Sequence, residues 1–182
     1  NTDAVDNSAG VDCSDNEVNI KILLNSIVAD GTLTVKQRDK LLEAMTDDVA
    51  ELVLRDNYLQ TQAISLAKSS SVRQLDSFIR YLDELEKSAN LDRELEFLPN
   101  DEELVEREEH ALGLTRPEIS VLIAYTKMSL FDSLVASDIL DDPYLEKFLF
   151  KSFPKRLSDQ YKDAMRNHQL RGQIIAKVIC ND

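Results

Sequence analysis

A chain of 182 residues with 43% apolar and 30% charged side chains can bury a sizeable core and is not a disordered polymer. Four glycines, four prolines and no Trp leave few places for tight turns, which points to long helices rather than many short strands. A formal net charge of -13 weighs against nucleic acid or an anionic membrane as partner, since both need clustered Lys and Arg; the acidity reads as a solvated helical surface.

The first fifteen residues differ from the rest. Asp3 to Val5 have the character of a strand end. Asn7-Ser8-Ala9-Gly10 reads as a tight turn of small side chains, where a ligand can approach the backbone closely. Ser14-x-x-Glu17 has the spacing of a capping box that opens the first helix. A helix start also offers free N–H groups and the positive end of the dipole, so Ser14 is either a plain cap or part of a site for a carboxylate.

Helix then follows helix. Ile20, Leu23, Leu24, Ile27 and Val28 form one apolar stripe, closed by Gly31. Thr34 with Gln37 is a second capping box, opening a short helix through Met45, and Thr46 is expected to cap a third, which Ser69-Ser70-Ser71 breaks. A fourth helix is predicted from Val72 to about Ala89, then a linker from Asn90 to Asn100. Asn100 with Glu103 caps a fifth helix, expected to stop at Gly113. Thr115-Arg116-Pro117-Glu118 starts a sixth, with Pro where its missing N–H costs nothing. That helix is apolar on most sides, as expected of a buried central element. After Asp141-Asp142-Pro143, a turn and a new start, Phe148, Leu149, Phe150 and Phe153 make a packing cluster. Pro154 is expected to open a last helix carrying Leu157, Tyr161, Met165, His168, Ile175 and Ile179 on one stripe.

Few residues after the first helix start carry an evident chemistry. His168, on an apolar stripe, reads as a hydrogen-bonded core residue, and His110 as a surface one. Asp141-Asp142 reads as a helix cap rather than a metal site, and the glutamates of 102–109 as a solvated face. Cys13 and Cys180 form neither a disulfide framework nor a zinc pattern, so a reducing cytoplasm is the simplest setting. No apolar run is long enough to span a bilayer, and no metal site is expected.

Asn7-Ser8-Ala9-Gly10-Val11-Asp12-Cys13-Ser14-Asp15-Asn16-Glu17 resembles the segment N-A/S-G-G-V-x-x-S-x-x-E of glutamate dehydrogenases. The stretches GVDCSDNEVNIKILLN, LTRPEISVLIAYTK and FPKRLSDQYKDAMRNHQLRGQIIA, in that order, are similar to the C-terminal region of one branch, the large bacterial NAD-specific enzymes. The resemblance implies an all-α multi-helix bundle, preceded by a short loop or strand remnant of a dinucleotide-binding domain. Residues 1–15 would be the tail of that domain and 16–182 a C-terminal helical domain, with a sub-boundary near 90–100. A start at Asn1 rather than Met is then expected of a segment cut from a longer chain.

The resemblance further implies that Ser14 binds the side-chain carboxylate of glutamate and that Asn7 and Gly10 lie near the nicotinamide end of NAD. The implied reaction is reversible: a hydride passes from the α carbon of L-glutamate to NAD, and the product is hydrolysed to 2-oxoglutarate and ammonia. The family's catalytic Lys and Asp and its Gly-rich phosphate-binding turn belong upstream, so this segment holds no catalytic residue and is expected to be silent alone. Its partners would be the upstream catalytic domains, in a homo-oligomeric parent. The competing readings are a free-standing helical interaction or regulatory module, supported by the amphipathic helices, and an acidic helical regulator of a basic partner, supported by charge.

Overall fold

The computed structural model describes residues 2, 5 and 7–181. Most of the described residues are helical, with no strand among them. In chain order the helices are α1 (Ser8–Ala29), α2 (Val35–Ala44), α3 (Thr46–Ser70), α4 (Leu75–Ser88), α5 (Asp101–Glu109) and α6 (Arg116–Val135). Two short 3-10 turns follow, Asp138–Asp141 and Pro143–Leu145, then α7 (Glu146–Lys151), α8 (Lys155–Gln160), α9 (Lys162–Arg166) and α10 (Arg171–Asn181). Of the expected strand end, Asp3 and Ala4 lie outside the described residues. Val5 is helical, and its N–H donates to Thr2 O at 3.0 Å.

Two capping boxes form as the sequence predicts. Thr34 Oγ1 accepts the Gln37 N–H while Gln37 Oε1 accepts the Thr34 N–H. Asn100 and Glu103 make the same reciprocal pair, each bond 2.9 Å. Each box satisfies two backbone donors that a helix start would otherwise leave open. Gly31 ends α1 in the left-handed conformation, φ 77°. Thr46 does not cap: it is already helical, and its hydroxyl donates to Glu43 O at 3.1 Å. The fourth helix begins at Leu75 rather than Val72, because residues 71–74 turn first.

The chain forms two compact units, Asn1–Asp6 with Tyr58–Asp132, and Asn7–Asn57 with Ser133–Asp182. In the first, Ile64, Leu75, Leu82, Leu85, Leu104, Leu114, Ile119 and Leu122 are buried together. The segment 90–100 lies within this unit and is non-helical, but it is packed rather than slack. Leu91 and Leu98 reach the core, and the Arg93 guanidinium pairs with Asp83, Glu86 and Asp101. α5 ends at Glu109, four residues before the expected stop. Ala111, not Gly113, takes the left-handed conformation, φ 52°. Gly113 serves packing instead: a Cβ there would lie 2.2 Å from Ser71 Oγ and 2.6 Å from Val72 N.

α6 is buried only toward its start, at Glu118, Ile119, Ser120 and Leu122; Met128 and Leu130 are exposed, so it is not the enclosed helix its composition suggests.

In the second unit the α1 stripe Ile20, Leu23, Leu24 and Ile27 is buried, as are Leu149 and Phe153 of the expected aromatic cluster. α10 packs on α7, and α9 packs on both α7 and α1. The single last helix expected from Pro154 is three helices. Tyr161, at φ -126°, makes the first break, and residues 167–170 leave the helix at the second. The buried residues Leu157, Met165, His168 and Ile175 nevertheless keep their inward positions, because burial rather than helix continuity selects them.

Candidate functional face of the first helix

The residues singled out by sequence lie at the start of α1. Asn7 precedes its first turn without a side-chain cap, and the Gly10 N–H donates to Asn7 O at 3.2 Å. The expected tight turn at Asn7–Gly10 is therefore the opening of the helix itself. Ser14 sits two turns inside α1 and is no helix terminus. Its capping box is therefore absent; Glu17 instead pairs with Lys21 one turn on, which lowers the Glu17 pKa. The backbone N–H groups around Ser14 are spent within the helix, so the anion site expected of a helix start is not built there.

At about 100° per residue, Gly10, Val11, Ser14 and Val18 share one face of α1, with Asn7 at its leading edge. All five are exposed, Val11 by 60% and Val18 by 48%. This face lies opposite the buried Ile20, Leu23, Leu24 and Ile27. The structure thus brings Asn7, Gly10 and Ser14 together as a small, polar, solvent-facing ridge flanked by two valines.

Residues that sequence reasoning missed hold this helix in place. Lys177 Nζ lies 2.9 Å from Asp15 Oδ2 and 3.1 Å from Asp12 Oδ1. Burial pushes the Lys177 ammonium down, but the Asp15 and Asp12 carboxylates outweigh it and hold the group above its ordinary value. A lysine at the far end of the chain gives no sequence signal for this pairing. Ser8 Oγ donates to Asn57 Oδ1 of α3. A small cleft of about 40 Å³, lined by polar and apolar side chains alike, lies beside Asn16, Asn19, Arg55 and Lys177, with Ile174 and Val178. On the other flank, Cys13, Glu17, Leu42, Met45 and Val49 border an open, mainly apolar groove of about 440 Å³.

His168 is buried and structural, as the sequence suggests. Its Nε2–H donates to Asn19 O of α1 and its Nδ1 accepts the Leu170 N–H, both at 3.0 Å, which defines a neutral tautomer. Burial pushes its pKa down, and the Asn19 bond only partly offsets this. Because the folded value is depressed, the stability this ring contributes is present above its unfolded value, about 6.5, and is lost as pH falls through the folded one. His168→Phe is expected to cost about 1–3 kcal/mol, through the unpaired Leu170 N–H. Urea unfolding from pH 8 to 5 checks this: the variant's stability changes less with pH over that window than the parent's. His110 is exposed, and the Asp142 carboxylate caps the Tyr144 N–H. Among the described residues no group of His, Cys, Asp and Glu is arranged to hold a metal ion, and no helix is long and apolar enough to cross a membrane.

The family model described as the bacterial NAD-glutamate dehydrogenase catalytic domain matches residues 1–67, which contain all of α1. The model described as glutamate dehydrogenase, C-terminal, matches residues 111–182. Over all 182 residues the chain is 52% identical to the NAD-specific glutamate dehydrogenase of Halomonas elongata. It is 51% identical to that of Pseudomonas aeruginosa and 41% to that of Mycobacterium tuberculosis. It spans 11% of the length of each of these curated relatives. With both models matched in chain order and all 182 residues of the chain aligned to a segment of each relative, the chain belongs to the family of large bacterial NAD-specific glutamate dehydrogenases.

Proposed function

We propose that the full-length enzyme carrying this segment catalyses the reversible, NAD-dependent oxidative deamination of L-glutamate to 2-oxoglutarate and ammonia. Within it this segment is a helical scaffold that presents one face of α1 to the substrate and is inactive alone. Residues 1–15 are the tail of the nucleotide-binding domain and 16–182 the helical domain. The working enzyme is a cytoplasmic homo-oligomer, and its catalytic Lys and Asp come from upstream.

The observation that supports this reading best is the exposed ridge of Asn7, Gly10 and Ser14 on one side of α1. On it, Ser14 meets the side-chain carboxylate of glutamate. A mid-helix serine offers one hydroxyl and no free backbone donors, so it supplies direction rather than charge. The balancing cation comes from outside this segment. Asn7 and Gly10, small and exposed, fit an edge contact with the nicotinamide end of NAD but not a phosphate cradle. NAD, when bound, supplies the hydride acceptor; the residues of this chain orient the substrate against it.

Glutamate-dependent NADH formation tests the reading in three proteins: this chain, the full-length enzyme, and the full-length enzyme with Ser14→Ala. The chain is expected to be silent and the full-length enzyme active. Ser14→Ala is expected to raise KM for glutamate about tenfold to a hundredfold, the worth of one hydrogen bond to a charged group. KM for NAD should stay near the parent's. An inactive full-length enzyme would remove the dehydrogenase reading, and an active one indifferent to Ser14→Ala would leave Ser14 with no role in binding.

A further inference from the structure

We propose that Lys177 is a positioning residue for the substrate-facing side of α1, through its paired contacts with Asp12 and Asp15. The proposal rests on the reading of Ser14 given above.

Asp12 and Asp15 bracket Ser14 in sequence and stand one helical turn apart. One contact to a helix fixes a point. Two contacts at i and i+3 from a single ammonium, 3.1 and 2.9 Å long, resist rotation of the helix about its axis as well. Asp12 is partly buried, its side chain 15% exposed, so this clasp is shielded from solvent on one side. Lys177 is itself held, because Ile174, Ile175 and Ala176 of α10 are all buried. A second tether comes from the same end of the chain, His168 Nε2 on Asn19 O. Rotation of α1 is what decides where the Ser14 hydroxyl points. With side-chain tips about 5 Å from a helix axis, a turn of roughly 11° moves that hydroxyl about 1 Å. Misplacement on the order of 1 Å is enough to cost up to about a hundredfold in turnover efficiency. The region matched as glutamate dehydrogenase C-terminal thus aligns the helix matched as catalytic domain.

The test uses the full-length enzyme with Lys177→Met, Lys177→Arg and, as a second route should Lys177→Met fail to fold, Asp12→Asn with Asp15→Asn. Kinetics for glutamate and NAD are measured with amide hydrogen exchange along α1. Lys177→Met is expected to lower kcat/KM for glutamate about tenfold to a hundredfold and to leave KM for NAD unchanged. Exchange should accelerate in residues 8–15 but not in the buried turns around Leu23 and Ile27. Lys177→Arg should restore most of both. Ser14→Ala added to Lys177→Met should cost less than it does alone, since both act on one contact. Unchanged kinetics for glutamate with unchanged exchange would overturn the proposal. So would exchange accelerated throughout the chain with both KM values raised, which marks a merely structural lysine. If Ser14→Ala raises KM for glutamate and Lys177→Met does not, the clasp falls alone. If Ser14→Ala is silent while Lys177→Met loosens residues 8–15 and weakens glutamate use, the Ser14 reading falls and the clasp stands.

Discussion

Gly113→Ala is expected to destabilise this chain by about 3 kcal/mol or more, lowering Tm by roughly 6–12 °C for a chain of this size. The direction decides between two explanations of this glycine. Its backbone is not in the left-handed region, so conformation alone permits alanine. At such a site Gly→Ala ordinarily stabilises by about 0.4–1 kcal/mol, by restricting the unfolded chain. Here the new Cβ would lie 2.2 Å from Ser71 Oγ, 2.6 Å from Val72 N and 2.7 Å from Ser71 C. Two of those atoms are backbone at the end of α3, and Ser71 is fully buried. The Ser71 hydroxyl donates to Lys68 O, and Lys68 Nζ to Leu114 O, so neither strand of the crossing yields easily. Adding Ser71→Gly should not rescue the variant, because the backbone clashes remain. A melting temperature equal to or above the parent's would show that the two segments do not approach this closely.

Glu118→Gln is expected to cost about 2–4 kcal/mol, below the full cost of breaking a buried ion pair because Arg107 keeps 24% of its side chain in solvent. The Glu118 carboxylate accepts both Arg107 guanidinium N–H groups at 2.8 Å and the Thr115 N–H at 2.6 Å. It joins α5 to α6 and caps the latter. Burial pushes this carboxyl up, but Arg107 and Thr115 together outweigh burial and hold it below the ordinary value. A depressed carboxyl contributes stability that is present above its unfolded pKa, about 4.3, and lost as pH falls through the folded value. The gap between parent and Glu118→Gln in urea unfolding should therefore be widest near neutral pH and shrink below about pH 4. A gap independent of pH would mean that shape, not charge, is what Glu118 supplies.

Three capping boxes have the same sequence form, and two exist. Thr34 with Gln37 and Asn100 with Glu103 need only their own backbone, so local spacing suffices to read them. Ser14 with Glu17 does not form because the helix already starts at Ser8: Ser14 is interior, and the backbone N–H groups it would cap are bonded within the helix, while Glu17 pairs with Lys21 and Lys177 holds the aspartates on either side of Ser14. What looked like a turn followed by a helix start is an exposed helical face. The last predicted helix breaks for a related reason. The His168 ring accepts the Leu170 N–H at the break, while its other nitrogen reaches α1, a bond invisible to a stripe of apolar residues.

The sequence by itself determined the all-helical class, the inward stripes of α1 and of the C-terminal segment, the cap residues that depend on near neighbours, and the family. Those features follow from periodicity, from local hydrogen bonding and from long matched motifs, all of which are written along the chain. The tertiary structure alone decided which glycine is needed for close packing, which half of α6 is covered, how Arg93 binds the 90–100 segment, and where Asn7, Gly10 and Ser14 face. Each of those depends on pairs of residues distant in sequence, whose approach is set by how the helices pack and not by the helices themselves.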